Sequence, residues 1–297
     1  MLRYLPIVLL IVGCSDPTIH LPEPRPHTLV PDLDEKGSPI VPESVSTVSG
    51  RVRWEGDRPQ IPAFRFPYLK PGQFSWQERI NPLAPHIGQK SGVRQAIVWL
   101  RGENVRTSKP WPHGAPRIEL HDTQIYGSQD GQNDLTTIIV QRGQDVEMVS
   151  HERVVQSLRA RGANFFTLQF PDCDTPLSRS FDEPGFVELT SASNQFWARA
   201  FAFVVDHPYV TRTDADGRFT LTDVPPGEYE IVCWMPNYLM DRQENDPETM
   251  MIARQWYRQP IEMVRKITVH ANQKIEVPFT LTESHFLVQV NQSVVSR

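Results

Sequence analysis

The fold turns on SASNQFWARAFAFVVDHPYVTRTDADGRFTL, Ser191–Leu221. Within it WARAFAFVV reads as a hydrophobic strand, HPY (His207–Tyr209) as a corner, and DADG (Asp214–Gly217) as an Asp-Gly hairpin turn leading into the alternating strand RFTL. This frame is intact, yet the segment in front of it, SASNQ, carries no metal ligand. Clustered aspartates on a tight loop invite a calcium reading. An EF-hand loop, however, wants glycine sixth and glutamate twelfth, whereas Gly217 is fourth and Pro225 twelfth, so the turn itself accounts for DADG.

Working outward, period-two alternation recurs in VSGRVRW (Val48–Trp54) and QAIVWLRG (Gln95–Gly102), then in RIELHD, TTIIVQRG, DVEMVS, NFFTLQF and GFVELT. It returns in EYEIVCW, KITVHANQ and KIEVPFTL. Short strands parted by Gly, Pro, Asp and Asn turns predict an all-β chain built as sandwiches or Greek-key barrels. Four segments read differently. Gln60–Gly92, rich in proline and aromatics, is expected to be irregular, with its aromatics packed over a sheet. His151–Arg161 (HERVVQSLRAR) is compatible with a short helix. Pro247 to about Arg258 is the one firm helix candidate, with Asp246 as cap, Pro247 in the first turn, an apolar face of Met250, Met251, Ile252 and Trp256, and Pro260 beyond its end. The run HFLVQVNQSVV near the C-terminus is expected to add an edge strand.

With 297 residues the chain has room for one large or two ordinary domains, and its 27 prolines favour loops and strand edges over long helices. A net charge of -5 with interspersed signs lacks the basic footprint that nucleic-acid binding needs, and that class is excluded. The N-terminus, MLRYLPIVLLIVGCS, has a basic residue, an apolar run too short to cross a bilayer, and a small residue before Cys14, which predicts a signal peptide over residues 1–13. From Cys14 to residue 47 the chain is proline-rich, without aromatic residues or apolar periodicity, and reads as a tether. His20 and His27 lie within it as solvated tail residues.

No GxSxG, HExxH or paired-cysteine motif is present, so no enzyme and no cofactor is expected. The histidines outside the tail are scattered. Cys173 and Cys233 are open to two readings, a disulfide in an oxidising compartment or one exposed and one buried free thiol.

TRTDADGRFTLTDVPPGEYEIVCW, Thr211–Trp234, closely resembles the carboxypeptidase regulatory-like domain, a small transthyretin-like, carbohydrate-binding-like β-sandwich. Gly50-Arg51-Val52 and Ala96-Ile97-Val98 match that family's G-x-V and A-x-V strands, and KITVHANQKIEVPFTL resembles its closing strands. The segment between is similar to a cupredoxin, and the whole order is similar to plastocyanin-like envelope proteins related to methylamine-utilisation proteins. The resemblance therefore implies two Greek-key β-sandwiches, a cupredoxin-like domain (103–207) inserted in or fused to a regulatory-like domain (48–102 and 208–297).

In such relatives the copper ligands arrive as C-x2-H-x2-M, preceded by a histidine in an N-x-D-x3-H frame. Alignment on Trp197 and His207 places Ala192 at the cysteine, Gln195 at the histidine, Ala198 at the methionine and Gln156 at the upstream histidine. A one-residue shift, offering Ser191, Asn194 or Trp197, rescues neither thiolate nor imidazole. All four positions lack a ligand, and no metal is expected. The alternatives are a copper electron carrier with atypical ligands such as His151 and Cys173, and a carbohydrate-binding module using exposed aromatics among Trp54, Phe66, Tyr68, Trp76 and Trp111.

Ile11-Val12-Gly13-Cys14 resembles the lipobox of bacterial lipoproteins, which implies lipidation of Cys14 against the alternative of an ordinary secretory signal. The expected protein is then a non-enzymatic lipoprotein of the bacterial cell envelope, in the outer membrane or facing the periplasm. It would contact the membrane through its lipid and bind a protein or glycan partner. Cys14→Ser is expected to abolish fatty-acid labelling and release the chain from the membrane fraction; a labelled Cys14→Ser protein would overturn the assignment.

Overall fold

The computed structural model describes residues 45–70, 73–102, 105, 109–193, 195–248, 250 and 252–287. The expected signal peptide, Cys14, the tether to residue 44 and its two histidines lie outside these residues, as does the tail from 288.

Two sandwiches are formed, one within the other along the chain. In the first, Ser46–Trp54 is central to one sheet, antiparallel to Arg218–Val224 and parallel first to Lys274–Glu276 and then to Phe279–Leu281. The facing sheet runs Val210–Arg212, Ile97–Arg101, Gly227–Met235, Ile261–Val269, antiparallel throughout. Their shared core holds Val48, Val52, Phe219 and Leu221 against Ile97, Ile231 and Trp234. Gly50 sits where the backbone of 277 comes close: a Cβ there would lie 2.0 Å from the Val277 carbonyl oxygen and 2.6 Å from the Phe219 ring.

The second sandwich occupies residues 117–205. One sheet runs Thr137–Gln141, Arg199–Val205, Gly185–Ser191, Gln156–Gly162, Phe166–Phe170, and the other Leu177–Ser180, Asp145–Ser150, Arg117–His121, Gln124–Gln129, Gln132–Leu135. Ile118, Leu120, Val146 and Met148 meet Leu158, Ala160, Val187 and Leu189 in its core.

The strand Arg199–Val205 joins the two. Every residue of it is buried. Strand side chains alternate between faces, and here Ala200, Ala202 and Val204 belong to the inner sandwich core while Phe201, Phe203 and Val205 belong to the outer one. Phe203 stacks on Phe186 at 4.3 Å and lies 4.7 Å from Trp99, and Phe186 in turn stacks on Trp234 at 3.9 Å. Polar contacts close the same junction. Arg212 donates from Nε to the Thr137 carbonyl (3.2 Å) and from Nη2 to Gln129 Oε1 (2.8 Å), and Gln95 Oε1 accepts the Thr136 N–H (2.8 Å). Burial lowers the Arg212 pKa to about 10, which leaves the guanidinium charged at neutral pH.

The corner His207–Tyr209 carries the chain from one sandwich to the other. The His207 Nδ1 accepts the Tyr209 N–H (3.2 Å), and the Tyr209 hydroxyl donates to the Asp223 carbonyl (3.1 Å). The expected DADG hairpin is instead a turn between sheets. Its flanking strands, Val210–Arg212 and Arg218–Val224, pair with Ile97–Arg101 and Ser46–Trp54 respectively. Thr213 causes the departure, because its hydroxyl donates to the Val93 carbonyl (2.7 Å) and accepts the Ala96 N–H (2.9 Å), drawing the chain out of line. The turn is local all the same: Asp214 Oδ1 accepts the N–H groups of Asp216 and Arg218, and Gly217 takes φ 76°.

The helix expected from Pro247 is a hairpin, Met240–Asn245 against Ile252–Tyr257. Asp246 Oδ1 accepts the Glu248 N–H, capping a turn, while the guanidinium groups of Arg242 and Arg254 lie 4.0 and 5.3 Å from the Trp256 ring. Arg242 faces Trp256 across the hairpin, a pairing that a helix would not make, while Arg254 lies two positions from Trp256 on the same strand. His151–Arg161 is not helical; Gln156–Gly162 is a strand with Gln156, Leu158 and Ala160 inward. Most of the expected C-terminal edge strand lies outside the described residues; its first residues, His285–Leu287, end a single helical turn, Glu283–Leu287, whose Phe286 packs on Trp54 and Tyr238. Within 60–92 a hairpin forms, Phe64–Lys70 with Gln73–Arg79, where an irregular run was expected.

Phe203→Ala removes a ring that the inner sandwich contributes to the outer core and is expected to cost about 3–5 kcal/mol. Urea unfolding followed by tryptophan fluorescence checks this; a loss below about 1 kcal/mol would show that the junction relaxes into the cavity.

Candidate functional site

The loop 192–198 connects two neighbouring strands of the inner sandwich, and the chain closes it on itself: Ala198 donates its N–H to the Gln195 carbonyl (2.9 Å) and Ser191 its N–H to the Ala198 carbonyl (3.4 Å). Ala192 donates to the Ser157 carbonyl (2.8 Å), and the Ser157 N–H to Ser193 Oγ (2.9 Å). These bonds bring Gln156 beside Ala192, with Gln195 and Ala198 in the same loop. Asn194 lies outside the described residues. Gln156 and Ala198 are buried, and Gln156 Oε1 has no hydrogen-bond partner among the described residues.

Aromatic rings close this end of the sandwich. Phe66, delivered by the Phe64–Lys70 strand, stacks on Trp197 at 3.9 Å, and Trp197 donates its indole N–H to the Thr123 carbonyl (2.9 Å). Phe64 meets Phe196 edge-on at 6.1 Å. Phe66 and Trp197 are both in the inner core. A blue-copper centre needs two imidazoles and a thiolate at one point, and amides, alanines and stacked rings supply none of these. Among the described residues no group of three or more His, Cys, Asp or Glu side chains is placed to hold a metal ion.

His151 and Cys173 meet at one carboxylate, but not as ligands. His151 Nδ1 lies 2.5 Å from Asp174 Oδ1, and the Cys173 thiol donates to Asp174 Oδ2 at 3.2 Å. The bond to Asp174 raises the Cys173 pKa, the opposite of what a metal thiolate requires. Cys233 is buried in the outer core, and burial pushes its thiol pKa far up. Both cysteines are free, so the disulfide reading is set aside in favour of one exposed and one buried thiol.

The aromatics considered for sugar stacking are dispersed. Trp54 and Phe66 are buried in different cores, Trp111 is half-buried, and Trp76 is exposed. The side chain of Tyr68 is outside what the structure describes.

A cleft of about 510 Å³ does exist, over the outer face of the inner sandwich and under the Ile252–Tyr257 strand. Strand register builds its floor: Arg159 lies opposite Thr190, which lies opposite Arg199, and in the next row Arg161, Glu188 and Phe201 follow in the same way. Arg254 and Arg258 come from the other wall. Loop residues Ala192 and Gln195 reach its rim. Sequence reading missed this site because its arginines are spread over a hundred positions without a run. The one available signal was SLRARG, where strand periodicity puts Arg159 and Arg161 on a single face.

No family model and no curated protein matches the chain. Among solved structures it is similar over 31% of its length to a mutant of amicyanin in the Cu(I) form, at 18% identity, 83% of that chain and a TM-score of 0.25. A purple cupredoxin from Nitrosopumilus maritimus is similar over 31% of this chain and 100% of its own, at 14% identity and a TM-score of 0.24. Likeness of that depth says nothing of what this chain binds.

Thiol titration of the native protein should lose one reactive group on Cys173→Ser and none on Cys233→Ser, whose thiol is expected to react only after denaturation. Equal loss from both variants would contradict the burial of Cys233.

Proposed function

We propose that this chain is a non-enzymatic binding module of the bacterial envelope, held at a membrane by lipid on Cys14. In this reading the inner sandwich is cupredoxin-like without copper and the outer one regulatory-like. The carrying observation is the ring stack of Phe66 on Trp197 at 3.9 Å, over a loop in which Gln156, Ala192, Gln195 and Ala198 stand at the aligned ligand positions. A metal would have to displace packed aromatic surface there, and it would find no thiolate or imidazole in return. What such a fold retains is rigidity. Two sandwiches sharing a buried strand present fixed surfaces, which suits recognition more than redox cycling.

Copper titration of the purified protein, with elemental analysis before and after dialysis, tests the reading. The expected result is no stoichiometric copper and no intense thiolate band. One tightly held equivalent whose band vanishes in Cys173→Ser would replace this reading with that of an electron carrier.

A further inference from the structure

The cleft between the inner sandwich and the Ile252–Tyr257 strand concentrates positive charge that the chain as a whole does not have. Among the described residues five arginines line it, Arg159, Arg161, Arg199, Arg254 and Arg258, against one carboxylate, Glu188, in a protein of net charge -5. Glu188 is already engaged: its Oε1 lies 2.9 Å from Arg199 Nη1. Arg199 is further held by a bond from Nη2 to the Gln255 carbonyl (2.9 Å) and by the Tyr257 ring 4.5 Å from its guanidinium carbon. Although Arg199 is only 6% exposed, its Nε has no partner among the described residues, and the same is true of the buried Nε of Arg258.

Arg159 and Arg161 make no ion pair or side-chain hydrogen bond among the described residues. They are half-buried and next to one another, and the proximity of Arg161 and Arg254, after desolvation, lowers the Arg159 pKa. Like charges gathered in a recess destabilise the fold unless something neutralises them. Guanidinium forks match the oxygens of carboxylate, phosphate and sulfate, and hold them by charge-assisted, often paired hydrogen bonds. The remaining lining alternates neutral hydrogen-bonding groups, Thr190, Gln195 and Asn237, with the ring surfaces of Phe196 and Trp256. Such a lining suits a hydroxylated organic body better than a bare ion, and the volume falls within the range of small-molecule sites.

We infer that this cleft is the binding site for a small organic polyanion, a hydroxyl-bearing molecule with carboxylate, phosphate or sulfate groups, gripped chiefly by Arg159, Arg161 and Arg254. The inference deepens the binding-module reading and rests on it. Two sources share this chemistry, acidic sugars and phosphorylated sugars, and calorimetry separates them. Full-length protein in neutral detergent is titrated at low salt with digalacturonate, with glucose 1,6-bisphosphate, with inorganic phosphate and with neutral cellobiose. Binding of either organic anion, weakened by added salt and reduced about tenfold or more by Arg161→Gln, is the expected result. Arg159→Gln should act alike, and both half-buried, unpaired side chains can be changed without loss of fold, checked by the urea midpoint. The inference is overturned if neither organic anion binds, if inorganic phosphate or cellobiose binds as tightly, or if both variants bind like the parent. The copper titration is independent: failure here with no copper bound leaves the metal-free module standing, whereas copper uptake with anion binding intact would remove only that reading.

Discussion

One strand decides the architecture. Arg199–Val205 is buried on both faces, and its alternation of alanine with phenylalanine is a division of labour: small side chains let the inner sheets close, while large ones fill the outer core. A strand with one wet face would have left two sandwiches on a linker. Here the rings of Phe201 and Phe203 reach Trp234, Trp99 and Phe186, so the outer core is completed by side chains of the inner sandwich. Aromatic burial on this scale outweighs surface electrostatics by several kcal/mol.

Where the inner sandwich is spliced in matters as much as how it packs. The chain leaves the outer sandwich after Ile97–Arg101 and returns in Val210–Arg212, and these two strands pair antiparallel, Val98 opposite Thr211. The whole inner sandwich thus occupies the place of a hairpin loop. Lengthening a loop costs only about 0.6 kcal/mol per doubling, and a folded insert with adjacent ends costs less still. Arg212 then seals the seam by donating to the Thr137 carbonyl and to Gln129 Oε1, which also accepts the Ile139 N–H.

The β character, most strand positions and the loop between Gly185–Ser191 and Arg199–Val205 were legible because period-two alternation and turn residues are local signals. What escaped was decided by distant partners. Pro247–Arg258 has a cap, a proline and an apolar stripe, yet Arg242, far from it on a helix, reaches Trp256 only across a hairpin. The DADG stretch has a hairpin's residues, and only the pull of Thr213 towards Val93, 120 positions away, shows that it changes sheets. Phe66 was read as an aromatic packed over a sheet; that it plugs the end beside Trp197 depends on a hairpin with no clear alternation. The arginine cleft is assembled from separate strands, so no window of sequence contains it.

The parallel pairing of Ser46–Trp54 with Lys274–Glu276 and Phe279–Leu281 bears on how the protein is made. A chain synthesised from its N-terminus exposes that strand, with Val48, Val52 and Trp54, more than two hundred residues before its last partners exist. Pairing across such a separation is slow, and an unpaired apolar strand invites association with other chains. The inner sandwich, contiguous and shorter in reach, can form while the outer one waits. The first strand therefore stays the exposed edge of the nascent chain until Lys274–Glu276 and Phe279–Leu281 are made and cover it.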